Sequence, residues 1–103
     1  MLLNKGELDG VRILKESTVA MIMSDQLPEE TPYSDGQGHG LAGNVNLETN
    51  EYGWAGAAST KFWIDPENEM IIITYAQLMP SNNGYADEFR NIVRSGLIQK
   101  LEN

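Results

Sequence analysis

The segment from Met70 to Tyr75 constrains the fold of this chain more than any other. Its residues are nearly all apolar or β-branched, a composition typical of a strand. Because polar side chains do not alternate along the run, both faces of the strand need cover, and the run predicts a central strand of a sheet. The rest of the chain must supply neighbouring strands and a covering helix.

Two further strands are predicted before it. Residues 41–47 alternate apolar or small with polar residues, a period of two that suits a half-buried strand. Tyr52 to Ile64 is a second candidate, and the third strand runs from Met70 to Gln77. The turn Asp65-Pro66-Glu67-Asn68 separates the last two, since Pro at its second position favours a type I turn. The pattern predicts an antiparallel hairpin.

Two helices complete the prediction. The first covers Ser17 to Ser24, with Ser17 as its N-cap and apolar residues at helical spacing: Val19, Ile22 and Met23. The second covers Asp87 to Leu101, and Gly96 lies on its apolar face, where the missing side chain would allow close approach to the sheet. The other residues of that face are Phe89, Ile92, Val93, Leu97 and Leu101.

Glycines and prolines mark the connections. Asp9-Gly10 between apolar residues predicts a small β-turn. Leu2-Leu3 before Gly6 is typical of the last turn of a helix, which predicts that the chain starts partway through a larger protein; a disordered start is the alternative. Residues 27–40 are rich in Pro and Gly and predict a loop. They lack the GxxxxGK[ST] pattern of a phosphate cradle.

With 103 residues, the chain is long enough for one domain at most, and we assign residues 1–103 to a single domain. The expected class is α+β. The expected architecture is an antiparallel sheet of about three strands, with a short helix before it and a C-terminal helix packed on one face.

Composition excludes several kinds of function. The net charge is −8 and Lys and Arg are scattered, so we expect no nucleic-acid partner. There is no cysteine, and His39 is the only histidine, so we expect no metal site and give His39 no catalytic role. No apolar run is long enough to cross a bilayer, so we expect no membrane partner. No motif calls for a cofactor.

The stretch from Tyr52 to Thr60 is rich in small residues, which weaken a strand and indicate that a backbone or a ligand comes close. Trp54 within it can pack over a ligand or over a neighbouring domain. Tight packing of the strand under another element would account for the same glycines, and spacing alone does not choose between these interpretations.

The chain resembles the C-terminal part of the serine β-lactamase-like hydrolases, a family of class C β-lactamases, penicillin-binding DD-peptidases and related esterases. The similar stretches occur in the family's order over nearly the whole chain. They are residues 1–14, Gly38-His39-Gly40-Leu41, residues 52–60 and Phe62-Trp63-Ile64-Asp65-Pro66-Glu67.

In that family a strand bearing Lys-Thr-Gly, or Trp-x-Gly in esterase-like members, lines the active site. The resemblance places Trp54-Ala55-Gly56 on this motif. It implies that Trp54, Ala55, Gly56 and Ala57 bind substrate, that Gly56 permits close approach, and that the Ala57 backbone N–H is an oxyanion-hole donor. The missing Lys favours an esterase or another hydrolase over a β-lactamase.

The family's other two motifs, Ser-x-x-Lys and Tyr-x-Asn, are absent from the chain. We therefore assign no catalytic residue and expect the chain alone to be inactive, with a small ester or amide as the substrate of a full-length parent. The alternative is a stand-alone binding or interaction module that uses the Trp54 region.

The resemblance also bears on association. In the family, further strands and a helical domain cover the sheet, so this chain would leave an apolar face and a strand edge open. We expect a homodimer or higher oligomer through that edge or face. The alternative is a monomer in which the loop carrying Leu27 and Tyr33 covers the exposed face.

Overall fold

The computed structural model describes residues 1–102. It contains two helices and two antiparallel sheets, which confirms the α+β class. The chain forms two compact units. The first comprises Met1–Trp54 and Phe62–Ile71, and the second comprises Ala55–Lys61 and the residues from Ile72 onward. Over the described range, neither helix has the length and apolar character needed to span a membrane.

The first unit begins with turns and a small hairpin. Gly6 has a φ of 98°, and a Cβ there would lie 2.2 Å from the Leu14 carbonyl oxygen, so the position requires glycine. Strands β1 (Glu7–Leu8) and β2 (Val11–Arg12) then pair antiparallel. Asp9 and Gly10 between them have φ values of 50° and 79°. This confirms the predicted Asp-Gly turn, whose two central residues both need positive φ.

Helix α1 spans Glu16–Ile22, with Lys15 as its N-cap and no side-chain capping bond. The prediction of Ser17 as the cap is therefore wrong, because the helix begins one residue before it. Val19 is buried, and Ile22 and Met23 pack against the core of this unit. That is the face predicted from the apolar spacing.

The larger sheet has five strands rather than the predicted three. In spatial order they are β3 (Gln37–His39), β4 (Asn44–Asn46), β5 (Tyr52–Ala55), β6 (Lys61–Asp65) and β7 (Met70–Thr74). The first of them lies in the segment predicted to be a loop. Gly38 and Gly40 make that segment look flexible, yet both are sites of close approach. A Cβ at Gly38 would lie 2.4 Å from the Asp25 carboxyl carbon, and one at Gly40 2.0 Å from the Ile22 carbonyl oxygen.

The single strand predicted over residues 52–64 is two strands, β5 and β6. A tight turn interrupts it, in which the Gly56 N–H donates to the Thr60 carbonyl (2.8 Å) and the Ser59 N–H donates to the Gly56 carbonyl (3.2 Å). Ser59 takes a φ of 68° there, which a residue other than glycine rarely adopts. No glycine at that position signalled the break.

Strand β7 lies at the end of the five-stranded order, so the prediction of a central strand covered on both faces is wrong. Ile72 and Thr74 are buried, whereas Ile71 and Ile73 are 49% and 52% exposed. The strand therefore has one covered face. Its sequence suggests a central strand only because isoleucines occupy the exposed positions as well.

The core of the first unit is a cluster of Val45, Tyr52 and Ile64. Partly buried residues surround it: Leu2, Leu3, Ile22, Met23 and Phe62. The turn after β6 forms where predicted, with the Asp65 side chain accepting hydrogen bonds from the Asn68 N–H (3.1 Å) and the Asn68 side-chain amide (2.8 Å).

In the second unit, helix α2 spans Gly84–Glu102 and is longer than predicted. Of its described residues only Ala86 is buried, and Ile92 on the predicted apolar face is 63% exposed. A Cβ at Gly96 would meet no described atom within 4 Å, so the predicted close approach at Gly96 is wrong.

Candidate functional site

The four residues expected to bind substrate follow one another through the end of β5 and into the turn. Trp54 is 47% exposed and belongs to the first unit, whereas Ala55, Gly56 and Ala57 belong to the second. Ala55 and Gly56 are half-buried and Ala57 is exposed. Just before them, a Cβ at Gly53 would lie 2.1 Å from the Phe62 carbonyl oxygen, so this glycine is needed by the packing of the neighbouring strand.

Ala57 and Ala58 lie at the tip of the turn from Gly56 to Thr60. The two hydrogen bonds that close it use the amides of Gly56 and Ser59, and the amide of Ala57 takes part in neither. A Cβ at Gly56 would lie 2.2 Å from the Thr60 Oγ1. A methyl group at position 56 would therefore have to displace the Thr60 side chain, whether or not a substrate also approaches.

Ser59 fastens this turn to the rest of the second unit. Its side chain is fully buried, its Oγ donates to the Leu78 carbonyl (2.7 Å), and the same Oγ accepts from the Asn82 N–H (2.9 Å). The Tyr85 hydroxyl donates to the Ser59 carbonyl (2.6 Å), and the Leu78 N–H donates to the Ala58 carbonyl (3.1 Å). Sequence reasoning missed this network, because its members lie about twenty residues apart or more and carry no motif.

In the first unit Trp54 is part of an aromatic cluster of Tyr33, His39 and Trp54. The His39 ring meets the Trp54 ring edge to face, with centroids 5.6 Å apart, and meets the Tyr33 ring in the same way at 6.1 Å. Strand pairing brings them together, since His39 pairs with Asn44, which pairs with Gly53 beside Trp54. His39, to which the sequence analysis assigns no catalytic role, therefore lies beside the predicted substrate-binding tryptophan.

Polar contacts fix the orientation of His39 in this cluster. Its backbone N–H donates to the Asp25 carboxylate (3.0 Å), and its Nδ1 lies 2.6 Å from the Gly40 carbonyl oxygen. Because a carbonyl only accepts, this contact requires a proton on Nδ1. The Tyr33 hydroxyl donates to the Asn44 side chain, which holds the other end of the cluster.

Burial in the core of the first unit raises the pKa of the Tyr52 phenol. Across residues 1–102, no group of three His, Asp or Glu side chains is arranged to hold a metal ion.

No family model matches the chain. It is similar to two Mycobacterium tuberculosis proteins, "Uncharacterized protein MT1414" of strain CDC 1551 and "Protein Rv1367c" of strain H37Rv. Each is 28% identical over 102 residues, an alignment that covers 78% of this chain. The chain spans about a quarter of the length of these curated relatives, since the alignment covers 25% of each of them.

Proposed function

We propose that this chain is the C-terminal part of a serine β-lactamase-like hydrolase of the esterase type, and that it contributes one active-site strand and one oxyanion-hole donor. The observation that carries the proposal is the exposed tip of the turn after β5. There the Ala57 amide takes part in neither hydrogen bond that closes the turn, and it directly follows the Trp54-Ala55-Gly56 motif.

A backbone amide is suited to this role if it is held still and faces solvent before the reaction. Developing negative charge on a substrate oxygen is then stabilised without reorganisation, and one such donor is worth roughly 3 kcal/mol of transition-state stabilisation. The two hydrogen bonds across the turn and the buried Ser59 supply the rigidity.

The substrate in this proposal is a small ester or amide, and the nucleophile comes from a part of the parent protein other than these residues. The chain alone should hydrolyse neither nitrocefin nor short p-nitrophenyl esters above background, because Ser-x-x-Lys is absent from it. In the Trp54-Ala55-Gly56 motif, Trp54 stands at the position of the lysine that recognises a carboxylate in members with Lys-Thr-Gly.

The experiment begins with the gene upstream of Met1. If a Ser-x-x-Lys lies in frame, the complete polypeptide is expressed and Ala57 is replaced by Pro, which removes the amide proton, or by Gly, which keeps it. We expect kcat on p-nitrophenyl butyrate to fall by about 100-fold or more in Ala57→Pro. The Ala57→Gly enzyme should stay within a few-fold of the parent. Equal activity of the two variants, or an upstream region without the motif, would defeat the proposal.

A stand-alone binding module is the second candidate, and the aromatic cluster of Tyr33, His39 and Trp54 favours it. Aromatic rings that are partly exposed and fixed by neighbours are typical of ligand-binding surfaces. A ribosome-binding site directly before Met1, together with ligand binding lost in Trp54→Ala and retained in Ala57→Pro, would support the module over the hydrolase.

Association through the sheet is part of the same proposal. Ile71 and Ile73 form an exposed apolar pair on the end strand β7, and Tyr75 just beyond it is 84% exposed. An end strand of this composition favours pairing with another chain. We therefore expect homo-oligomers of the chain when it is studied alone.

A further inference from the structure

A cleft of about 800 Å³ lies within the second unit, beside the turn that presents Ala57. Its walls are formed by the turn and by the segment that follows β7. The lining residues are Ala58, Thr60, Tyr75, Ala76, Gln77 and Met79. The volume falls within the range of small-molecule sites, roughly 300 to 1,000 Å³.

The two walls of the cleft are joined by hydrogen bonds rather than by loose contact. Leu78 is held on both sides, because its N–H donates to the Ala58 carbonyl (3.1 Å) and its carbonyl accepts from the Ser59 Oγ (2.7 Å). The cleft is therefore formed before any ligand arrives, which reduces the entropic cost of binding.

The chemistry of the lining is neutral and largely apolar. None of the six lining residues carries a charge, and Tyr75 and Met79 leave 84% and 71% of their surface exposed. Apolar side chains this open, gathered on a rigid frame, are typical of a surface that binds a ligand. No cation lies in the lining to pair with a carboxylate, and the chain's net charge of −8 disfavours an anionic ligand.

We infer that this cleft binds the uncharged apolar acyl or aryl group of an ester or amide and discriminates against substrates that carry a carboxylate. The inference rests on the proposed function, since the wall begins at Ala58, one residue after the proposed oxyanion donor. A carbonyl oxygen bound at the Ala57 amide would have its acyl or leaving group at the mouth of the cleft. The cleft then selects the substrate class, and the Ala57 amide in the turn stabilises the developing negative charge.

The test uses the chain itself and two ligands that it cannot cleave. N-(4-nitrophenyl)butanamide and N-(4-nitrophenyl)succinamic acid differ only in a terminal methyl group replaced by a carboxylate. We expect amide NMR signals of Ala58, Thr60, Ala76 and Gln77 to shift with the neutral ligand. The acid should bind at least about tenfold more weakly.

Two variants locate the site. Met79→Asp places a carboxylate in the lining, and we expect it to weaken binding of the neutral ligand at least about fivefold. Met21→Asp is the matched control, because Met21 is an exposed methionine of helix α1 in the other unit. It should bind like the parent chain.

Equal affinity for the two ligands, shifts confined to other residues, or equal loss in both variants would overturn the inference. The Ala57 amide reports separately on the proposed function. If the NMR signals of the cleft residues shift and that of Ala57 does not, the inferred binding cleft is supported and the proposed oxyanion donor is contradicted.

Discussion

The Tyr85 hydroxyl donates a 2.6 Å hydrogen bond to the Ser59 carbonyl, across 26 residues of sequence. This bond holds the first turn of helix α2 against the turn that presents Ala57. It acts on a residue whose φ of 68° is unfavourable for serine, so the surrounding contacts maintain a conformation that the local sequence disfavours.

Tyr85→Phe should therefore destabilise the second unit. The variant keeps the ring but leaves the Ser59 carbonyl without this donor, and we expect a loss of about 1 kcal/mol in the free energy of unfolding. Urea denaturation followed by circular dichroism measures it. Tyr75→Phe is the control, because Tyr75 is 84% exposed and its change should be close to zero. Equal effects of the two variants would show that the Tyr85 bond contributes nothing.

Two glycine substitutions should change stability in opposite directions. In Gly53→Ala the new methyl group would lie 2.1 Å from the Phe62 carbonyl oxygen, so β5 and β6 must move apart, at a cost of about 1 to 3 kcal/mol. Gly96→Ala adds a methyl group in open space within helix α2 and should stabilise by about 0.5 to 1 kcal/mol. Thermal unfolding of both variants measures the difference. A destabilised Gly96→Ala chain would mean that Gly96 is packed after all.

Alkaline pH should destabilise the first unit through Tyr52. Burial raises the pKa of its phenol in the folded state, while the unfolded chain ionises near the usual value of about 10. The stabilisation is therefore complete below about pH 10 and is lost as the pH rises from there through the folded-state pKa. We compare urea unfolding of the parent and Tyr52→Phe at neutral pH and above pH 10. The difference in unfolding free energy between them should shift in favour of Tyr52→Phe at high pH, and a pH-independent difference would contradict the prediction.

The exposed pair on β7 should govern self-association. Sedimentation equilibrium at tens of micromolar should give a mass above that of one chain, and Ile71→Lys with Ile73→Lys should shift it toward the monomer, because lysine blocks edge pairing. Ile92→Lys is the matched control, since Ile92 is at least as exposed as these two isoleucines but lies on helix α2. A monomeric parent chain that does not bind a dye for exposed apolar surface would defeat the prediction.

Local signals predicted the local structure well. The Asp9-Gly10 turn, the Asp65 to Asn68 turn and helix α2 each depend on residues within a few positions of one another, and each forms. The predicted number of strands in the larger sheet was wrong where contacts between residues distant in sequence determine the structure. The turn at Ser59 is maintained by contacts with Leu78, Asn82 and Tyr85. No residue close to Ser59 in sequence predicts this turn.

The candidate site also contains residues that the sequence predicts and one that only long-range structure places there. The small residues and the family resemblance identify Trp54 to Ala57 as site residues. They do not identify His39, because its place beside Trp54 depends on the registers of β3 with β4 and of β4 with β5. Apolar content also misled in one respect, since Ile71 and Ile73 suggested a covered strand and are exposed.

The double role of the Ser59 hydroxyl bears on how this chain would respond to serine-directed reagents. Its one proton is committed to the Leu78 carbonyl and a lone pair to the Asn82 N–H, and the side chain is fully buried. An alkoxide cannot form there without breaking the contact that holds the turn. A fluorophosphonate should therefore leave Ser59 unmodified, even though it is the serine nearest in sequence to the proposed oxyanion donor.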